Sequence, residues 1–204
     1  MSAPPPPPLD FGSLSDQQVV VLALEGREAA QRELLRRYER PVFSLIYRMV
    51  RDRDLAEDLA QESFVKAFNA LDRYRPEFKF SGWIFRIANN TAIDHLRKRE
   101  LKTLSIEGDR DALTSGEQAA RAIQLPSHNP SPEQELVARE LGSVIERAIG
   151  QLRPEYRSCI LLRFAEQRSY EEIAEIMDLP VGTVKTFIHR ARSELMLALK
   201  EERK

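Results

Sequence analysis

Apolar residues recur along this chain at spacings of three and four, the period of an α-helix, while the alternation that marks β-strands is nearly missing. Ser15 and Gln18 form a capping box ahead of an apolar run at residues 19–24. Leu34, Leu35 and Tyr38 carry the helical pattern as far as Pro41, where it is expected to break, and Val42, Leu45, Ile46 and Met49 make the next stripe. Asp54 and Glu57 read as another helix start, with Leu55, Leu59, Phe64, Ala67, Phe68 and Leu71 on one face behind them. A loop over residues 72–79 then precedes a helix capped by Ser81 that runs to about Arg99.

The pattern stops over residues 103–132, which hold Gly108, Gly116, Pro126, Pro130 and Pro132 and few large apolar residues. A structureless stretch of that length does not belong inside a compact domain, so it reads as a flexible interdomain linker. Periodicity resumes at Ser131-Pro132-Glu133, and Leu136, Val137, Leu141, Val144, Ile145, Ala148 and Leu152 form an inner stripe. Pro154 opens a further helix carrying Ile160, Leu161 and Phe164. Ser169 and Glu172 make a second capping box, and Ile173, Ala174 and Met177 face inward behind it. Asp178-Leu179-Pro180 breaks that short helix, and a last one starts at about Val181 or Gly182. Its inner residues Val184, Ile188, Ala191 and Leu195 fall within about 60° of one another at 100° per residue, and Thr183, Lys185, Thr186, His189 and Arg190 lie on the opposite face. Two helices joined by so short a turn, the second with a cationic outer face, make a helix-turn-helix whose Lys and Arg suit guanine edges or phosphates. The alternative is a plain helical hairpin with a solvated charged face. The fold expected is thus all-α: two small helical domains, residues 14–102 and 133–204, joined by the linker, with a proline-rich disordered tail at residues 1–13 and the helix-turn-helix in the second domain.

Charge sharpens this picture. The whole chain carries a formal net charge of −1, so a nucleic-acid surface has to come from local patches. Residues 73–102 supply one: Arg73, Arg75, Lys79, Arg86, Arg97, Lys98, Arg99 and Lys102 outnumber Glu77, Asp94 and Glu100 by five. Tyr74, Phe78, Phe80, Trp83 and Phe85 are interleaved among them. Cations that touch phosphates beside aromatics that stack on unpaired bases suit single-stranded or melting DNA. Trp83 and Phe85 are better placed in a core, whereas the loop aromatics Tyr74, Phe78 and Phe80 are freer to stack. Arg86, Asn90, Asp94 and Arg97 share one polar stripe, and Asp94 and Arg97 are spaced to pair. The linker, by contrast, has an excess of two negative charges.

Asp54, Glu57, Asp58 and Glu62 cluster on one helix, as a protein-docking face or a merely solvated one. A helical di-metal site would need Glu-x-x-His partners, and His95, His128 and His189 stand apart, so no catalytic residue, metal or cofactor is expected. No phosphate-binding glycine loop or nucleophile motif is present either. A single cysteine, Cys159, excludes an internal disulfide and suits a reducing cytoplasm. No stretch is apolar enough for membrane insertion, and the amino terminus lacks the makeup of a signal peptide.

Three strings, in order, resemble one family. Asp54-Leu55-Ala56-Glu57-Asp58-Leu59-Ala60-Gln61-Glu62 resembles the core-binding segment of the extracytoplasmic-function sigma factors of the sigma-70 family. Gly82-Trp83-Ile84-Phe85-Arg86-Ile87-Ala88-Asn89-Asn90, with Asp94 and Arg97, is similar to their promoter-melting helix. Tyr170-Glu171-Glu172-Ile173-Ala174, Gly182-Thr183-Val184-Lys185 and His189-Arg190-Ala191-Arg192 resemble their second DNA-binding region. The resemblance implies sigma region 2 over residues 14–102 and region 4 over residues 133–204. It implies an alternative sigma factor that binds the large subunits of core RNA polymerase through Asp54, Glu57, Asp58, Gln61 and Glu62. Arg75, Phe78, Lys79, Phe80, Trp83, Arg86, Asn90 and Arg97 would then capture and melt the minus-ten element. Thr183, Lys185, Thr186, His189 and Arg190 would read the minus-thirty-five element, and an anti-sigma factor would be a further partner beside promoter DNA. A linker of this length spans about 30 Å relaxed and roughly 100 Å stretched, so polymerase would have to hold the domains apart, and the free protein is expected to bind promoters poorly. Two other readings remain at this stage. One is a helix-turn-helix regulator, which would not need the basic aromatic segment; the other is a helical metalloenzyme built on the carboxylates.

Overall fold

The computed structural model describes residues 11–75, 77–106 and 132–201, with side chains placed over 11–75, 77–99 and 141–200. No strand occurs among them. Four helices build the first domain: α1 (Asp16–Leu24), α2 (Glu28–Val50), α3 (Arg53–Asn69) and α4 (Phe80–Ile106). Four more build the second: α5 (Pro132–Gln151), α6 (Pro154–Ile160), α7 (Tyr170–Met177) and α8 (Val181–Glu201).

Helix α1 begins as its sequence requires, with the Ser15 hydroxyl accepting from the Gln18 amide and the Gln18 side chain accepting from the Ser15 amide. The turn Phe11–Ser13 ahead of it is a 3₁₀ turn rather than the end of a disordered tail. Arg37 holds it there by donating to the carbonyl oxygens of Phe11 and Leu14 and to the Asp16 carboxylate. Residues 1–10, with the proline run, lie outside the described residues, as does the linker over 107–131.

The expected break at Pro41 is absent: α2 runs through it. A proline inside a helix costs about 3 kcal/mol, but Leu34, Val42, Leu45, Ile46 and Met49 are all fully buried on one face of α2. Burial of five such side chains, at roughly 1.5–3 kcal/mol each, exceeds that cost. Helix α3 is capped by Asp52, which accepts from the Leu55 amide at 3.1 Å, so it starts one residue before the expected Asp54. Helix α4 starts at Phe80, with Ser81 already inside it, and continues to Ile106 rather than stopping near Arg99.

Beneath α1 and α2, Glu33 accepts from Arg36 at 2.7 and 2.8 Å and from Arg37 at 2.7 Å. These hydrogen bonds, Arg36 first and then Arg37, hold its carboxyl down at about 2 instead of the ordinary 4.5. A carboxyl depressed by folding contributes stability that is complete above its unfolded value and lost as pH falls through the folded one. Urea midpoints of the native chain are therefore expected to drop between about pH 5 and about pH 3 more steeply than those of Glu33→Gln. Parallel pH curves for the two chains would remove Glu33 from the acid sensitivity of this domain.

In the second domain α6 opens with Pro154 at its first turn and continues as one wider, π-helical turn over Leu161–Ala165, closed by the Glu166 amide on the Leu161 carbonyl at 3.1 Å. Phe164, on the widened turn, is 54% exposed, unlike the buried Ile160 and Leu161 before it. Leu141 and Ile145 on α5 are likewise exposed, so only Ala148 and Leu152 of the expected inner stripe are buried among the described side chains. The second capping box forms as expected, Ser169 with Glu172. Helix α7 ends at Asp178, a left-handed residue at φ 56°, and the Leu179 amide closes the turn on the Ala174 carbonyl at 3.0 Å. Ile173 and Ile176 of α7 and Val184, Ile188 and Ala191 of α8 then lock the two helices together. The domains also touch: α4 packs against α6 and α7, and the end of α2 meets α5 and α6.

Candidate functional site

Three surfaces follow from this packing. The first is the outer face of α3. Ala56, Leu59, Ala60 and Phe64 turn inward, which leaves Asp54, Glu57, Asp58, Gln61 and Glu62 exposed on the other side. Glu57 pairs with Arg53 at 3.1 Å and Glu62 with Lys66 at 2.7 Å, both one helical turn along. Val65, 59% exposed, lies at the carboxyl-terminal end of this acidic stripe, one turn beyond Gln61 and Glu62. The sequence reading missed it, although its position eleven residues after Asp54, three turns of helix, puts it on the same face. An exposed apolar side chain bordering an acidic face suits a protein partner rather than nucleic acid, whose phosphates the carboxylates repel.

The second surface is the loop before α4 and the polar edge of that helix. Arg75, Phe78, Lys79, Arg86, Asn90 and Arg97 are exposed. Phe78, at 50%, is the exposed aromatic of the loop. Two of its neighbours correct the sequence reading: Tyr74 and Phe80 are not free to stack but buried. Phe80 packs edge-on against Tyr38 and Tyr74, and Trp83 lies half-buried against both Tyr74 and Phe80. Tyr74 donates its hydroxyl to the Phe78 carbonyl at 2.6 Å, which fixes the loop's bend and turns the Phe78 ring outward. Phe85 is core, as expected.

The cations of this surface face the second domain. Lys79 pairs with Glu172 at 3.0 Å, Arg86 with Asp178 at 2.8 Å, and Arg97 with Glu155 at 2.6 Å. Arg97 thus has a partner across the domains, beyond the i,i+3 neighbour Asp94 that the sequence offered. Burial opposes ionisation of Glu155, but hydrogen bonds from Arg97 and Arg153 outweigh it and keep the carboxyl below its usual range. Glu172 is also lowered, by the Ser169 amide it caps and by Lys79.

The third surface is the outer face of α8. Lys185, Thr186, His189 and Arg190 are exposed opposite the buried Val184, Ile188 and Ala191, and Thr183 is half-buried at the first turn. The Thr186 hydroxyl donates to the Gly182 carbonyl at 2.9 Å, and the Lys185 ammonium lies 5.9 Å from the Tyr170 ring centre. Arg190 reaches the Tyr156 hydroxyl at 3.4 Å. Arg192, two turns along from Lys185 on the same side, is exposed too and extends the basic face beyond the residues singled out from sequence.

Among the described residues no three His, Cys, Asp or Glu side chains converge to hold a metal ion, and no helix is long and apolar enough to cross a membrane. A helix-turn-helix with an exposed basic second helix, beside a domain with its own basic edge, defines a DNA-binding protein of two helical modules.

Comparison with known proteins makes the class specific. Residues 34–101 match the family described as sigma-70 region 2, and residues 143–195 match sigma-70 region 4. RNA polymerase sigma-H factor of Pseudomonas aeruginosa is 36% identical over 186 residues, 90% of this chain and 93% of that relative. The extracytoplasmic-function sigma factor SigW of Bacillus subtilis is 35% identical over 178 residues, 87% of this chain and 92% of its own. Among solved structures, CnrH in complex with the cytosolic domain of CnrY shares the fold, with TM-score 0.61 and 22% identity, over 91% of this chain and 97% of that one. The chain belongs to the extracytoplasmic-function sigma factors of the sigma-70 family. Its function is that of a sigma factor: it binds RNA polymerase core and directs the enzyme to promoters.

Proposed function

We propose that the three surfaces divide the work of initiation, with no catalytic step carried by this chain. The acidic face of α3, centred on Asp58, Glu62 and Val65, docks on a large subunit of core polymerase. Asp54, Glu57 and Gln61 flank that centre. The loop and polar edge of α4 take the minus-ten element, with Arg75, Lys79, Arg86 and Arg97 on phosphates, Phe78 as the stacking ring and Asn90 in reach of a base. Trp83, half-buried, gives one edge to this surface, while Phe80 supports it from beneath. Helix α8 enters the major groove at the minus-thirty-five element with Lys185, His189 and Arg190, and Thr183 and Thr186 lie at the same end.

The observation that carries this reading is the outer face of α8: Lys185, Thr186, His189 and Arg190 are exposed in one patch while the opposite side of the same helix is buried to the last methyl of Val184 and Ala191. A cationic patch so placed on the second helix of a helix-turn-helix is the geometry of major-groove entry. An anti-sigma factor is the natural further partner, since RpoE of Bartonella quintana is described in complex with the anti-sigma factor NepR. Cytoplasmic residence follows from work on the chromosome.

The α3 assignment has its own test. Reversing Asp58 and Glu62 to Lys is expected to weaken binding to core polymerase by at least tenfold in a fluorescence titration, because both residues are exposed on the docking face and the reversed charges would repel a cationic partner face. Helical content and melting should stay unchanged. An unaltered affinity for core would leave the two carboxylates as a solvated surface.

A further inference from the structure

We infer that Thr186 reads a thymine of the upstream element through its γ-methyl group and not through its hydroxyl. The 5-methyl of that base, in place of a hydrogen-bonding edge, then sets one position of the sequence this chain selects. The inference deepens the reading of α8 as the helix that enters the major groove, and rests on it.

Val184, Ile188 and Ala191 fix which side of α8 faces inward, for all three are buried. At about 100° per residue, Thr186 lies within roughly 20° of the direction opposite to them. Lys185, His189 and Arg190 stand to either side, about 50–90° away on the same count. Thr186, itself exposed, is therefore the middle of the patch, where the helix comes nearest to the groove floor. The longer cations around it reach outward to phosphates and to neighbouring base edges. Gly182 stands one turn earlier on the same side, and a Cβ there would meet nothing within 4 Å. Packing within the chain thus does not require a glycine at 182. Helical side chains lean towards the amino terminus, so Thr186 reaches over Gly182, and the missing side chain leaves the approach open.

The hydroxyl of Thr186 donates to the Gly182 carbonyl at 2.9 Å. A threonine hydroxyl has a single proton, and here the helix backbone holds it. The acceptor edges of the purines, N7 and O6, call for a donor, which this group no longer offers. In a staggered side chain the γ-methyl lies about 120° from the hydroxyl, and so points away from that carbonyl. What Thr186 presents to the groove is apolar, and the apolar group that a base displays there is the thymine 5-methyl. Ser193, two turns further on, supplies the contrast. Its hydroxyl is engaged in the same way, by the His189 carbonyl at 3.1 Å, but it carries no methyl and adds no such preference.

The test uses the full chain assembled with core polymerase, on a promoter fragment from which the assembly initiates. Each thymine of the upstream element, on either strand, is replaced singly by deoxyuridine, which removes only the 5-methyl. Initiation at limiting protein is compared for three chains. Thr186→Ser keeps the hydroxyl and its backbone bond and loses the methyl; Thr186→Val loses the hydroxyl and keeps a methyl. Burial of one methyl group corresponds to about a fourfold effect. The native chain should lose about that much at one thymine and nothing at the others. Thr186→Val should show the same loss at the same base. Thr186→Ser should start lower on thymine and treat thymine and uracil alike there. A difference between the two bases that persists in Thr186→Ser overturns the inference, because another group then reads the methyl. An upstream element without an A·T pair overturns it as well. So does a native chain indifferent to uracil at every position although scrambling the element still abolishes initiation, and in that case the reading of α8 survives. If scrambling has no effect either, that reading has failed and the inference falls with it.

Discussion

Replacing Lys185 and Arg190 together with Ala should cut initiation at promoters bearing an upstream element by one to two orders of magnitude, with core binding unchanged. Each well-placed contact to a base edge is worth about 1–3 kcal/mol of discrimination, and phosphate contacts add a salt-dependent share. Both side chains are exposed on α8. Their modest internal partners, the Tyr170 ring for Lys185 and the Tyr156 hydroxyl for Arg190, are themselves on the second domain. Truncation therefore removes reach into the groove without opening the core, and the expected stability change is within about 0.5 kcal/mol. Transcription on paired templates, with the upstream element intact or scrambled, separates the cases. The native chain should distinguish the two templates strongly and the double variant hardly at all. Undiminished discrimination by the variant would move upstream recognition away from these residues.

The second large effect is structural. Leu45→Ala on α2 should destabilise the first domain by about 2–5 kcal/mol, the usual range for removing a buried leucine side chain where the surroundings relax only partly. Leu45 is fully buried, in the half of α2 that lies beyond Pro41. This half of the helix is held by its packing rather than by an unbroken ladder of backbone hydrogen bonds, which makes the position sensitive. Urea unfolding followed by circular dichroism would show an early transition for the first domain. A midpoint equal to that of the native chain would mean that the packing around Leu45 does not carry α2 through its proline.

What could be read from sequence was local. Capping boxes at Ser15 and Ser169 involve residues three apart, and both form. The inner stripe of α8 is a property of one helix, and Val184, Ile188 and Ala191 are buried as its spacing requires. The order of the three motifs pointed to the family before any packing was known. Features set by distant residues did not show. Pro41 signals a break in isolation, and only the neighbours that bury α2 overrule it. Tyr74 and Phe80 sit in a segment that reads as a loop, yet each is swallowed by an aromatic cluster that includes Tyr38, some forty residues earlier. The π-helical turn that carries Phe164 has no signature in its apolar spacing. Least legible were the cross-domain partners. Arg86 and Asp178, or Asn89 and Ser158, are separated by most of a domain and the linker, and nothing in either local pattern announces the other.

These contacts change how the site is understood. A basic segment read alone looks ready for nucleic acid. Among the described residues, Lys79, Arg86 and Arg97 of this segment hold carboxylates of the second domain, while the acidic face of α3 remains open to solvent.

The decisive measurement is run-off transcription by purified core polymerase on a library of promoter fragments, with and without the native chain. RNA should start at a restricted set of sites only when the chain is present, and those sites should share two short elements separated by a fixed spacer. Core that initiates no differently in its presence, although the chain is folded, would contradict the account at its root.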